Sequence, residues 1–151
     1  MVSCVFTCIV IYTNFFYMPD ELYPYQIKAL RQLAAYKKVL SADHTTSISD
    51  KEQGYALQDS IITFTEMFCR QNLANTDYTI LQERQYRSDK IEDWINEMDI
   101  DIILQCITYV IWTNKSIDGY FVAKVRDGFI EKLLHRLERI LSHIELAPQL
   151  A

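Results

Sequence analysis

The sequence predicts an all-α fold, a compact single-domain bundle of five or six helices around a buried central helix, on three observations. Apolar residues recur at three- and four-residue steps through four long segments, the period of one helix face. Beyond residue 17 no segment reads as a strand. Breakers are few, with 3 Gly and 3 Pro in 151 residues, while half of the chain is apolar and 13% is aromatic. A chain so rich in core formers folds by itself, and at this length one domain buries roughly two-thirds of its unfolded surface.

The first helix is expected from Pro24 to about Leu40, with Ile27, Leu30, Leu33, Ala34 and Leu40 on its inner face. Pro24 suits the first turn, where the N–H it lacks would be unpaired anyway. The polar stretch Ser41 to Ser49 reads as a loop ending in a capping box of Ser49 and Glu52. A second helix then runs to about Gln71, with Leu57, Ile61, Phe64 and Phe68 inward, joined by Ile62 and Met67. Residues 72 to 87 hold no sustained period, and Asn75, Thr76 and Asp77 are turn formers. Ser88 or Asp89 caps a short helix with Ile91, Trp94, Ile95 and Met98 inward.

Ile100 to Trp112 is apolar nearly all round, the mark of a central helix, and at about 13 residues it is too short to span a bilayer. Asn114 and Ser116 are expected to break it, a short helix follows to Arg126, and Gly128 suits a left-handed position before the last helix. That helix carries the clearest stripe in the chain, Ile130, Leu133, Leu134, Leu137, Ile140, Leu141 and Ile144, and Pro148 ends it.

Residues 1 to 17 contain no charged side chain, yet they lack the basic start of a signal peptide and are too short and too interrupted for a membrane span. They read as an apolar extension upstream of a start at Met18, which leaves residues 18 to 151 as the helical domain. Cys4, Cys8, Cys69 and Cys106 form no C-x-x-C pair and lie far along the chain from His44, His135 and His143, so no metal or other cofactor is expected. Scattered cysteines without a secretory segment read as a reduced, cytoplasmic protein.

The net charge of -5 gives no global attraction to a phosphate backbone. A local patch is nonetheless present on the last helix, where Lys132, His135, Arg136, Arg139 and His143 lie opposite the apolar stripe, with Arg126 just before it. Glu131 and Glu138 interrupt this row and no aromatic platform interleaves it, so a solvated face is the expected reading and nucleic acid is disfavoured. The acids Asp89, Glu92, Asp93, Glu97, Asp99 and Asp101 lack the loop pattern of a calcium site and read as solubilising or capping residues. There is neither G-x-S-x-G nor a glycine-rich phosphate loop, and no histidine context marks a nucleophile. The pairs Asp118-Gly119 and Asp127-Gly128 most simply serve caps and turns.

The segment Ile102 to Arg139 resembles the C-terminal part of a family of small bacterial and phage proteins known only as a domain of unknown function (number sixty-five-oh-eight). The matching positions are Thr108-Tyr109, Asp118-Gly119, Asp127-Gly128 and Leu134-x-Arg136-Leu137, about a quarter of the chain. Where that family has an Arg with Glu, Arg and Phe in the turn before the first D-G, this chain reads Thr113-Asn114-Lys115-Ser116-Ile117. The resemblance implies an all-helical fold and a bacterial, phage or mobile-element setting, with no activity, substrate or cofactor attached.

The functional expectation is a non-catalytic interaction module whose partner is another protein or a second copy of the chain, with no membrane. Its candidate residues are Tyr109, Lys115, Asp118, Arg126, Lys132, Arg136 and Arg139. Two alternatives stand beside it: a nucleic-acid-associated protein using the basic face of the last helix, and a small enzyme or ligand-binding domain with a site near Tyr109, Lys115 and Asp118.

Overall fold

The computed structural model describes residues 24–42, 50–77 and 94–146. Among the described residues there are five helices and no strand: α1 Pro24–Ala42, α2 Asp50–Arg70, α3 Ile100–Ser116, α4 Tyr120–Arg126 and α5 Phe129–Leu146. The all-α bundle expected from the periodicity is the fold, and none of the described helices is long and apolar enough to cross a membrane. The run 1–17, the Ser49 and Glu52 capping box, the start of the short helix before Trp94 and the Pro148 stop fall outside the described residues or side chains.

Two helices share the centre. Ten of the 17 residues of α3 are buried, from Ile100 to Ile111. Beside it, α5 packs against α1, α3 and α4 at once. Its stripe explains this reach: Ile130, Leu133, Leu134 and Leu137 are fully buried, with Leu141 following one turn on. Such a stripe, wider than a coiled-coil seam, presents apolar surface to more than one neighbour. On α1 the inward set is Leu30, Leu33, Ala34 and Leu40. Phe64 of α2 joins three helices: its ring lies 5.4 Å edge-on from Tyr36 of α1 and 5.6 Å edge-on from Phe121 of α4, and it stacks at 6.2 Å on Phe68.

Ile62 departs from expectation. It is 53% exposed, because one residue past Ile61 it is rotated about 100° out of the stripe of Leu57, Ile61, Phe64 and Phe68. The end of α2 is a left-handed turn at Asn72 (φ 55), with the Leu73 amide reaching back to the Phe68 carbonyl at 3.2 Å. Asn is among the few side chains that accept this conformation, and the buried Leu73 closes the cap with an apolar contact.

The central helix also outruns its expected end. Asn114 and Ser116 lie inside α3, and the Ile117 amide still donates to the Thr113 carbonyl at 2.8 Å. Asn114 is kept there by a contact that its low helix propensity does not reveal: its Oδ1 accepts the Phe121 amide at 2.9 Å. Gly119, the N-cap of α4, has no side chain to do this. At the other end of α4, Asp127 Oδ1 accepts the Phe129 amide at 2.9 Å, so the second Asp-Gly pair ends one helix and starts the next.

Gly119 and Gly128 both hold positive φ, 78° and 80°, and at neither would a Cβ meet an atom within 4 Å. The demand is therefore on the backbone alone. Gly128→Ala is expected to cost about 1–2 kcal/mol, the penalty of an L side chain in the left-handed region, measured as a lower urea midpoint with an unchanged slope.

Candidate interaction surfaces

The basic face of α5 is largely tied into the fold. Arg136 is half-buried, and its Nε donates to the Met98 carbonyl at 3.0 Å. Arg139 reaches Asn96 Oδ1 at 3.5 Å from Nη1, and its carbonyl lies 2.7 Å from His143 Nδ1. These two arginines thus fasten the 94–98 segment, which carries the buried Ile95 and Met98, onto α5. Glu138 pairs with Lys37 of α1 and lies 3.7 Å from His135, and the hydrogen bond from Lys37 holds its carboxyl below the usual range. The row is therefore neutralised in its middle, while Lys132 and Arg126 stand exposed at its edges.

Two shallow grooves flank α1. One, about 270 Å³ between α1 and α5, is lined by Arg31, Ala34, Lys37, Lys38, Glu138 and Ser142, among others. The other, about 550 Å³ between α1 and α2, includes Gln32, Tyr36, Val39, Thr63, Glu66 and Arg70. The aliphatic hydroxyl in each groove is already engaged, Ser142 donating to the Glu138 carbonyl and Thr63 to the Asp59 carbonyl, each at 2.9 Å.

Chemistry at the remaining reactive groups is governed by burial. Burial pushes the Cys106 thiol up to about 12, which leaves it a small apolar core side chain and no nucleophile. Asp99 caps α3 by accepting the Ile102 amide at 2.9 Å. The Asp101 carboxyl is raised, first by desolvation and then by the neighbouring Asp99 charge. Among the described residues no three His, Cys, Asp or Glu side chains are placed to hold a metal ion.

The C-terminal half of α3 is different. Tyr109 is 40% exposed and Trp112 37%, one turn apart on one face, and Ile117 at the helix end is 55% exposed. Lys115 rides over the Trp112 ring with Nζ 4.8 Å from its centroid, so Trp112 sits between Tyr109 and Lys115. Tyr120 borders the same patch: its hydroxyl is raised mainly by desolvation, and Tyr109 is close enough to add to the shift. Asp118 stands exposed in the turn next to Ile117. The structure thus sets Tyr109, Trp112 and Lys115 along one side of α3 with Tyr120 near Tyr109, while Ile117 and Asp118 follow in the exposed turn, Ile117 about 140° around the helix from Trp112. In sequence Trp112 reads as the end of a core helix; the signal against that is the spacing of Tyr109, Trp112 and Ser116, which puts a polar residue on the same face.

Compared with family models, with curated proteins and with solved structures, the chain matches none.

Proposed function

We propose that this chain is a non-catalytic protein-interaction module whose binding face is the surface of Tyr109, Trp112 and Lys115 toward the end of α3. The observation that carries this reading is the exposure of two aromatic side chains, Tyr109 and Trp112, one turn apart on the helix that is otherwise the most buried. Aromatic residues are enriched at protein interfaces because they bury a large rigid area while their polar ends stay hydrated. A cation over an aromatic ring at the rim adds a polar anchor of the kind such interfaces carry.

The resemblance of Ile102 to Arg139 to the bacterial and phage family supports a bacterial, phage or mobile-element setting. A nucleic-acid reading through α5 is weakened by the engagement of Arg136 and Arg139 with the 94–98 backbone and side chains, since a cation already bonded offers less to a phosphate.

Capture from an extract of the source cell tests the reading. The wild-type chain is expected to retain specific proteins that the double variant Tyr109→Ala, Trp112→Ala loses while its helical circular dichroism is unchanged. Recovery of nucleic acid or a metabolite in place of protein, or a protein set indifferent to the substitutions, overturns it.

A further inference from the structure

We propose that Asp118 is a site of spontaneous backbone modification, where attack by the Gly119 amide converts the aspartyl linkage into an isoaspartyl one, while the fold protects the same dipeptide at Asp127-Gly128. In this step the Gly119 nitrogen bonds to the side-chain carboxyl carbon of Asp118. The amide proton leaves with the carboxyl hydroxyl as water, and a five-membered succinimide results. Water then opens the ring. Addition at the side-chain carbonyl restores Asp118; addition at the main-chain carbonyl breaks the original peptide bond, so the chain runs on through the side chain and the α-carboxylate is set free. Solvent water is the only other reactant. Glycine favours the closure because it has no Cβ to obstruct the approach of the carboxyl group.

The two Asp-Gly pairs form an internal comparison. Their glycines hold nearly the same φ, 78° and 80°, and at neither would a Cβ meet an atom within 4 Å. The surroundings of the two aspartates differ. Both carboxylate oxygens of Asp127 are engaged: Oδ1 accepts the Phe129 amide at 2.9 Å, and Oδ2 accepts Lys124 Nζ at 3.1 Å. The nucleophile is engaged too, since the Gly128 amide donates to the Val125 carbonyl at 3.1 Å. Closure at Asp127 disrupts all three bonds.

Asp118 is exposed and has no hydrogen-bond or ion-pair partner among the described residues, and the Gly119 amide donates to no carbonyl among them. With φ 78 and ψ 2, Gly119 occupies the second central position of a type II turn, closed by the Tyr120 amide on the Ile117 carbonyl at 3.2 Å. That length is at the long end of the ordinary range. Closure rotates Asp118 about its Cα–C bond and opens this one hydrogen bond, against three bonds at Asp127.

The isoaspartyl linkage adds one methylene to the main chain just before the N-cap of α4. It lies beside the Gly119 carbonyl that accepts the Ala123 amide at 3.0 Å, and close to the Asn114 bond to the Phe121 amide, so the start of α4 is the element it loosens. The product also bears a free α-carboxylate, which makes methyl transfer to isoaspartate the class of reaction that would consume it.

Peptide mapping of the full chain, kept folded at neutral pH for several weeks, tests the proposal. Trypsin places each Asp-Gly pair in its own peptide, Ser116 to Lys124 and Asp127 to Lys132. Isoaspartate is expected to accumulate in the first, as a species of unchanged mass and altered retention that accepts methyl groups from an isoaspartyl methyltransferase. In the second it is expected to be several-fold scarcer. In urea the two peptides are expected to gain it at similar rates, because the bonds around Asp127 are gone. Asp118→Glu, whose carboxyl would have to close a six-membered ring, is expected to abolish the product with circular dichroism unchanged. Equal accumulation at the two sites of the folded chain, an excess at Asp127, or no isoaspartate at Asp118 overturns the proposal. Unequal rates in urea would assign the difference to neighbouring sequence in place of the fold, and overturn it as well.

Discussion

Phe64→Ala is expected to destabilise the fold by about 3–5 kcal/mol, the range for deleting a fully buried aromatic ring. Phe64 is 0% exposed and its ring touches those of Tyr36, Phe68 and Phe121, so its removal opens a cavity at the meeting of α1, α2 and α4. Two terms act together: the transfer energy of the ring is forfeited, and the three neighbouring rings relax only partly into the space it leaves. Urea denaturation followed by circular dichroism measures it as a fall in midpoint. Ile62→Ala, two residues away on the same helix but 53% exposed, is expected to change stability by less than about 0.5 kcal/mol. Equal costs at the two positions would mean that α2 presents a different face to the bundle.

What the sequence discloses follows from the range over which its signals act. Periodicity is a local property, and where the apolar stripe persists through a helix it places the element well: α1 begins at Pro24 as expected, and every stripe residue of α5 is buried or half-buried. Left-handed glycine at position 128 and the capping role of Asp127 are equally legible, because both are consequences of backbone dihedrals within a few residues. The misreadings come from interactions across the chain. Asn114 reads as a breaker because its bond to the Phe121 amide depends on how α4 folds back. Arg136 and Arg139 read as part of an open basic face because their partners, Met98 and Asn96, lie 38 and 43 residues away. The candidate trio of Tyr109, Lys115 and Asp118 stands out in sequence through the family resemblance around it, but the exposure of Trp112 beside Tyr109 depends on which neighbours cover α3.

The same helix allows fold and function to be separated two residues apart. Ile107→Ala is expected to cost about 2–5 kcal/mol, because Ile107 is 0% exposed and neighbours Thr108, which is buried and already committed. The Thr108 hydroxyl donates to the Leu104 carbonyl at 2.6 Å and accepts the Asn75 amide at 2.9 Å, which holds the segment after α2 against α3. That anchorage limits how far the surroundings can close around a missing side chain, and limited collapse puts the cost toward the upper part of the range. Tyr109→Ala removes a larger side chain from the same turn, yet at 40% exposure it is expected to change stability by less than about 1 kcal/mol. The two variants are thus expected to divide: Ile107→Ala lowers the urea midpoint strongly, while Tyr109→Ala leaves it nearly unchanged and weakens the association of the chain with its partner. A cost below about 0.5 kcal/mol for Ile107→Ala would place α3 at the surface of the bundle and remove the contrast on which the reading of its exposed end depends.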